Sequence, residues 1–273
     1  MSEPTPLTAA PHDDAAAALQ ALLSTSLAPI DPEPVAEAGL RARLFNRVAR
    51  SAQANASFVN VRKGDGAWHE ASPGVCFKLL HEAYGVVSRL VRLDSGAQWS
   101  LADVGVADEL LVLSGDLHID GQKLGAQDYR LRGTDAPAAT AQAPGGALVY
   151  WRRSTNAETA FGGVRTSVTV PATDTQSWSP LRPGVLLKPL FGVGDTVSML
   201  ARLEKGGSVP THVHPCAEEC LMIEGDMFLG DVLLLEGEYQ WAPGGTSHDT
   251  LSSDVGCVVF IHGSVDPALK QEA

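Results

Sequence analysis

"AEECLMIEGDM", residues 217–227, reads as a second version of "ADELLVLSGDL", residues 107–117, and the offset of 110 between them holds in both directions along the chain. Upstream, Trp68 falls on Trp178, "PGVCFKLL" at 73–80 on "PGVLLKPL" at 183–190, and "SRLVRLDSG" at 88–96 on "SMLARLEKG" at 198–206. Downstream, Tyr129 falls on Tyr239 and Gly146 on Gly256. An offset kept without a gap over this span implies two copies of one folding unit. Both copies are written in short apolar runs broken by Gly, Pro, Asp and Ser, such as "SFVNV", "VVSRLVRL" and "ALVYW". Short strands at this spacing predict an all-β barrel or sandwich for each copy. The expected organisation is a tail and helix over 1–55, a first β-domain over 56–165 and a second over 166–273.

The N-terminal part has a different texture. "DDAAAALQALLSTS" predicts a short helix capped by Asp13 or Asp14, and "APIDPEP" ends it. Over 35–52, Leu40, Leu44, Phe45 and Val48 recur at helical spacing, with Arg41, Arg43, Arg47 and Arg50 on the other side. That pattern predicts an amphipathic helix that packs its apolar side against a sheet edge or a subunit.

Of the 273 residues 44% are hydrophobic, enough for two cores. The 32 acidic residues outnumber the 20 basic ones, for a formal charge of −12, which disfavours a nucleic-acid partner. There is no long unbroken apolar run for a membrane span and no secretory pattern at the N-terminus, so a cytoplasmic location is expected. Cys76, Cys216, Cys220 and Cys257 form no CxxC pair and read as free thiols.

Chemistry concentrates in the second copy. In "THVHPCAEEC" at 211–220, His212 and His214 are two residues apart, so a strand would turn both imidazoles to one face. Glu218 follows after a turn. Its neighbour Glu219 is the rival, and strand alternation lets only one of the two face inward. "GEYQWAPGGTSH" at 237–248 then supplies Gly237, Pro243, Gly245 and His248. Three imidazoles and one carboxylate suit a first-row divalent ion.

These residues resemble the two cupin signature motifs. Gly206, His212, His214, Glu218 and Gly225 meet the first, and Gly237, Pro243, Gly245 and His248 the second. Ser252 stands where the second motif usually has Asn, a position that does not ligate the ion. The resemblance implies two tandem cupin barrels and one metal ion per chain, Fe(II) or Zn(II), with Mn or Ni as alternatives. It reaches the first copy only as a fold. There His212 falls on Ala102, His214 on Val104, Glu218 on Asp108 and His248 on Ala138, which predicts an empty, apolar barrel. The remaining histidines, among them His81, His118 and His262, read as ordinary surface or turn residues.

A narrower resemblance lies in "HPCAEECLMIEGDM", the preceding "W…PGV…K" and the later Gly256–Cys257, which look like the cupin domain of ChrR-type anti-sigma factors. In that family the domain binds a metal and senses oxidative damage, and a separate zinc domain with an H-x3-C-x2-C pattern holds the sigma factor. No cysteine precedes Cys76 here, so the sigma-binding half does not carry over. Strand alternation from Glu218 predicts a soft, largely apolar pocket of Cys220 and Met222, with Tyr239 or Trp241 and Thr250 from later strands. Such a pocket fits a small apolar or aromatic molecule. Two functions are compatible with this: a metal-dependent dioxygenase or related oxidoreductase, and a ChrR-like sensor acting through a protein partner. Cys216 and Cys220 flank Glu218 and read either as a redox switch or as small semi-buried packing residues. A homodimer is compatible with the fold, although the two copies can satisfy the usual sheet contact within one chain.

Overall fold

The computed structural model describes residues 34–270, so the short helix expected near Asp13 lies outside the described residues. Helix α1 (Pro34–Ala54) covers the predicted amphipathic segment. On its apolar side Leu40, Leu44, Phe45 and Val48 are each more than half exposed. No helix among the described residues is long and apolar enough to cross a membrane.

From residue 55 onward the chain is one compact unit built almost entirely of β-strands. In the first copy, a sheet running Tyr129–Arg132, Ala107–Gly115, Ala147–Ser154, Val86–Leu93, Val75–Ala83 and His69–Ser72 faces a smaller one. The smaller sheet holds Ala97–Leu101, Ala139–Ala143, Leu117–Ile119 and Gln122–Leu124. The second copy repeats the plan with Tyr239–Ala242, Glu218–Leu229, Cys257–Gly263, Thr196–Leu203, Val185–Val193 and Ser179–Arg182 in the same order. Pairing is antiparallel throughout, so each sheet can bury one face and turn the other outward. Gly115 and Gly225 are equivalent in the two copies, at the end of Ala107–Gly115 and within Glu218–Leu229, with φ 76° and 74°. A Cβ at either would stand 2.1 Å from the carbonyl oxygen of Gly146 or Gly256, so only glycine fits.

Each copy lends the other a strand. Val59–Val61 precedes the first barrel in sequence, yet it pairs with Tyr239–Ala242 of the second. Val168–Val170, the equivalent strand of the second copy, pairs with Tyr129–Arg132 of the first. The exchange covers an edge in both sheets, which would otherwise present unpaired backbone groups.

The outward faces of the two large sheets meet in a shared core that includes Leu111, Tyr129, Tyr150, Leu221, Tyr239 and Phe260. Two glutamates are buried within it. Glu219 accepts from Tyr150 and Tyr239 hydroxyls and from Arg152 Nε, each at 2.8 Å, and from Ser88. Glu109, its equivalent, accepts from Tyr129 at 2.8 Å, from Arg152 Nη1 at 3.0 Å and from Ser198. Ser88 and Ser198 are themselves equivalents, and each serves the glutamate of the opposite copy. Paired and fully hydrogen-bonded carboxylates are the form in which buried charge is tolerated.

The first barrel differs from expectation. Its interior is not empty: Trp99 and Trp151 fill it, with ring centroids 5.0 Å apart, together with Phe77, Leu110 and Val112. It is not wholly apolar either. Asp108, equivalent to Glu218, is buried and receives Trp151 Nε1 at 2.8 Å and both Nε and Nη2 of Arg153 at 2.7 and 3.1 Å. The imidazoles are gone, but the carboxylate remains and two guanidiniums neutralise it, Arg153 in direct hydrogen bonds and Arg132 at 3.7 Å.

Candidate metal centre

His212 and His248 sit directly opposite one another in a two-stranded pair, His212–Val213 with Ser247–His248. His214 follows, tied to the same hairpin by its backbone N–H to Thr246 O at 2.9 Å and by Gly245 N–H to its own carbonyl at 2.8 Å. Glu218 opens the long strand and points into the second barrel. Ligand atoms of His212, His214 and Glu218 lie within 4.8 Å of one another. His248 stands beside this trio with its ring centroid 4.6 Å from that of His214 and 5.9 Å from that of His212. All four side chains are buried.

The neighbours set the tautomers. Thr246 gives its hydroxyl proton to Pro243 O at 2.5 Å, so the 3.0 Å contact with His214 Nδ1 requires Nδ1 to be the donor. His212 Nδ1 lies 3.1 Å from Pro210 O, a carbonyl that can only accept. Both rings therefore carry a proton on Nδ1, which leaves Nε2 as the nitrogen that ligates a cation when the ring is neutral. The Nε2 atoms of His214 and His248 are buried with no hydrogen-bond partner among the described residues. Such atoms are costly unless something fills the gap between them.

Electrostatics agree. Burial pushes the Glu218 carboxyl up to about 7, against a weaker opposing hydrogen bond from Cys220. Burial, with His212 nearby, lowers His214 to about 4, and burial with His214 and His212 lowers His248 to about 3. Neutral imidazoles around a carboxylate that lacks a positive partner are a donor set for a divalent cation. The residues present thus fit a metal ion.

Metal-free protein should carry the cost of Glu218 in its pH profile. Its folded pKa lies above the unfolded value, so stability is full below about pH 4.5 and declines as pH rises through 7. We expect Glu218→Gln to stabilise the metal-free protein by on the order of 2–3 kcal/mol above neutrality, with little difference near pH 4. Denaturant unfolding of the two metal-free proteins at both pH values checks this; a variant less stable than the parent at high pH would refute it.

The expected pocket is partly relocated. Cys220 lines the inner cavity with His212, Glu218, Met199 and Met227. Met222 is buried in the same core without reaching the cavity wall. Tyr239 and Trp241 do not line it. They pair across from Leu221 and Glu219, and cross-strand neighbours share a face, so both turn toward the first barrel. Tyr239 bonds Glu219 there, and Trp241 stacks on His81 with centroids 4.2 Å apart. His81 and His262, read from sequence as ordinary histidines, both belong to this junction between the barrels. Thr250 is exposed. Glu219 likewise belongs to the barrel junction, which leaves Glu218 as the inward carboxylate. The cavity is small, about 50 Å³, and an outer groove of about 560 Å³ adjoins it through Leu181, Leu187, Met199, Ser264 and Val265.

Neither cysteine beside Glu218 is disulfide-bonded. Burial, reinforced by Glu218, pushes the Cys220 thiol far up, so it stays protonated and contacts Glu218 Oε1 at 3.5 Å. A thiol of that kind is a poor nucleophile. Cys216 is half-buried, with Sγ 3.4 Å from Ser264 Oγ.

Two features were missed in the sequence. Phe58, from the exchanged N-terminal segment, places its ring edge-on to His248 at 5.3 Å and 6.4 Å from His214, so residues written before the first barrel cover the site of the second. Gly263 is the other. A Cβ there would lie 3.1 Å from Glu218 Cγ, and its equivalent in the first copy is Arg153.

The chain has the fold of two tandem cupin barrels, with a candidate metal site in the second. Residues 166–265 match the family described as the ChrR Cupin-like domain. No curated protein matches the chain by sequence. Among solved structures it resembles a candidate dioxygenase from Nostoc punctiforme, with a TM-score of 0.61 at 12% identity, covering 78% of this chain and 84% of that one. It also resembles a candidate glyoxylate-induced protein from Pseudomonas aeruginosa, with a TM-score of 0.63 at 14% identity, covering 77% and 89%. Oxalate decarboxylase from Lactobacillus farciminis aligns with a TM-score of 0.57 at 10% identity, covering 76% and 86%. At these identities the likeness is one of fold.

Proposed function

We propose that this chain is a metal-binding bicupin whose second barrel acts as an oxidoreductase, of dioxygenase type, on a small apolar molecule. The observation that carries the reading is the set of bare imidazole nitrogens around Glu218 beside an apolar cavity. His212, His214, His248 and Glu218 would hold the ion. An ion held by three nitrogens and one carboxylate supplies Lewis acidity and, if redox-active, one-electron chemistry toward dioxygen, with coordination positions left open. The chain's own residues do the rest. Pro210 and Thr246 orient two of the rings, Phe58 shields the imidazoles from water, and the apolar walls select a reacting end small enough for the inner cavity. The body of the substrate would lie in the outer groove.

The test is elemental analysis of protein purified without added metal, followed by oxygen uptake by Fe(II)-loaded protein against a panel of β-diketones and hydroxyaryl ketones. We expect about one ion per chain and uptake above the metal-free control. Zinc as the native ion, together with no uptake from any of the panel, would overturn the enzymatic reading.

A second reading has its own support. The family match over 166–265 and the 50 Å³ cavity favour a ChrR-like sensor that holds its ion with little turnover and signals through a protein partner. Zinc content and a pull-down that changes with peroxide treatment would favour it.

A further inference from the structure

The junction between the barrels contains a second pocket, of about 260 Å³, apart from the metal centre. Its base is formed by Arg152, Glu219 and His262, and Trp241, Tyr84 and Ala160 stand around it. The base belongs to the buried network, in which the carboxylates are saturated. Glu219 has four donors, and Glu109 has three with His262 Nδ1 a further 3.4 Å away. The donors are not saturated. Arg152 spends Nε on Glu219 and Nη1 on Glu109 and Ser154, while Nη2 has no hydrogen bond among the described residues. His262 is similar. Ser198 gives its proton to Glu109, so the 2.8 Å contact makes His262 Nδ1 the donor, and Nε2 has no hydrogen bond among the described residues.

We infer that this pocket binds a small organic monocarboxylate, held at its charged end by Arg152 and at its apolar end by the walls around Trp241. A guanidinium edge with a spare N–H is the common partner of a carboxylate. Most of the remaining lining is apolar or aromatic, with Ala83, Val86, Ala160 and Ala217 beside Trp241 and its stacked His81 ring, and Thr159, Thr196 and Cys216 add a few small polar groups. That combination of a few polar groups and an apolar body selects a compact acid with a flat or short side chain. Two glutamates already flank the arginine, and the chain is acidic overall, which argues against a dianion such as phosphate.

Benzoate is the probe, with benzamide as the neutral control. Titration calorimetry of the full chain should show one benzoate site, at least about tenfold tighter than benzamide, in metal-loaded and metal-depleted protein alike. Ala160→Trp fills the pocket from its exposed rim and should weaken benzoate at least about tenfold while leaving metal content unchanged. His81→Ala, which removes the support behind Trp241, should weaken it in the same direction. Benzoate binding that vanishes with the metal would place the acid at the other site and overturn the inference. So would equal affinity for benzamide, indifference to Ala160→Trp, or no binding in the millimolar range. The outcome is independent of whether the metal centre turns over.

Discussion

Gly263→Arg should abolish metal binding and leave the protein folded. The first barrel shows how. There Arg153 occupies the equivalent position and grips Asp108, the counterpart of Glu218, through two hydrogen bonds at 2.7 and 3.1 Å. In one copy the buried carboxylate is neutralised chiefly by Arg153, with Arg132 3.7 Å away; in the other those positions are Gly263 and Ala242 and the carboxylate lacks a positive partner. An arginine at 263 supplies that partner from the strand next to Glu218. The backbone there is not left-handed, and a Cβ would ask Glu218 to give by only a few tenths of an ångström. Metal per chain, measured by elemental analysis, should fall from about one to near zero, a loss of affinity of about a hundredfold or more. Thermal stability of the metal-free variant should equal or exceed that of the metal-free parent, because a buried anion gains a partner. Adding Glu218→Asp to match the shorter first-barrel acid should raise stability further. Full metal content in the folded single variant would overturn the reading of Glu218 as a ligand.

The internal repeat made most of this architecture legible. A gapless offset needs no knowledge of contacts, so the two β-domains and the loss of imidazoles from the first copy follow from the string itself, whereas the strand order within each sheet came from the pairing. The grouping of His212, His214 and Glu218 was legible because their spacing reports a strand and a turn. Direction was harder. Alternation says that Tyr239 and Trp241 share a face but not which face. Only their pairing opposite Leu221 and Glu219 shows that it is the face between the barrels. Partner choice was invisible. Val59–Val61 is three residues long and carries nothing that names the second barrel, so Phe58 could not be read as part of the site.

The buried network did leave a signal. Where the two copies keep the same polar residue inside otherwise apolar runs, as at Ser88 and Ser198, Glu109 and Glu219, or Tyr129 and Tyr239, the structure shows a hydrogen bond at the barrel junction. Where the copies differ, as at Arg153 and Gly263 or Arg152 and His262, the structure shows a site of one kind only. Comparing a repeat with itself thus separates what the fold requires from what one copy has specialised. It also marks Lys78 and Lys188, equivalent lysines whose ammonium groups both hold backbone carbonyls of the preceding loop.

Arg152→Met should be the most destabilising single change in the junction, at about 3–5 kcal/mol near neutral pH. Arg152 is buried and bonds both glutamates, so its loss strands two anions in a core otherwise made of Leu, Tyr and Phe. Burial alone would raise both carboxyls, yet His262, Arg152 and Ser198 hold Glu109 down to about 2, and Arg152, His262 and Ser88 do the same for Glu219. Folded values below the ordinary 4.5 mean stability that is complete above about pH 4.5 and fades as pH falls toward 2. The gap between parent and variant should therefore be widest at neutral pH and narrow in acid, where protonated glutamates no longer need the arginine. Denaturant unfolding at pH 7 and near pH 4 reads this directly. Arg152→Lys, which keeps the charge but not the fork, should fall between the two. If Arg152→Met fails to fold, adding Glu109→Gln and Glu219→Gln should restore folding, since neutral side chains leave no stranded charge. A gap under about 1 kcal/mol at pH 7, or one that does not change with pH, would mean that the arginine is not what keeps the two carboxylates ionised between the barrels.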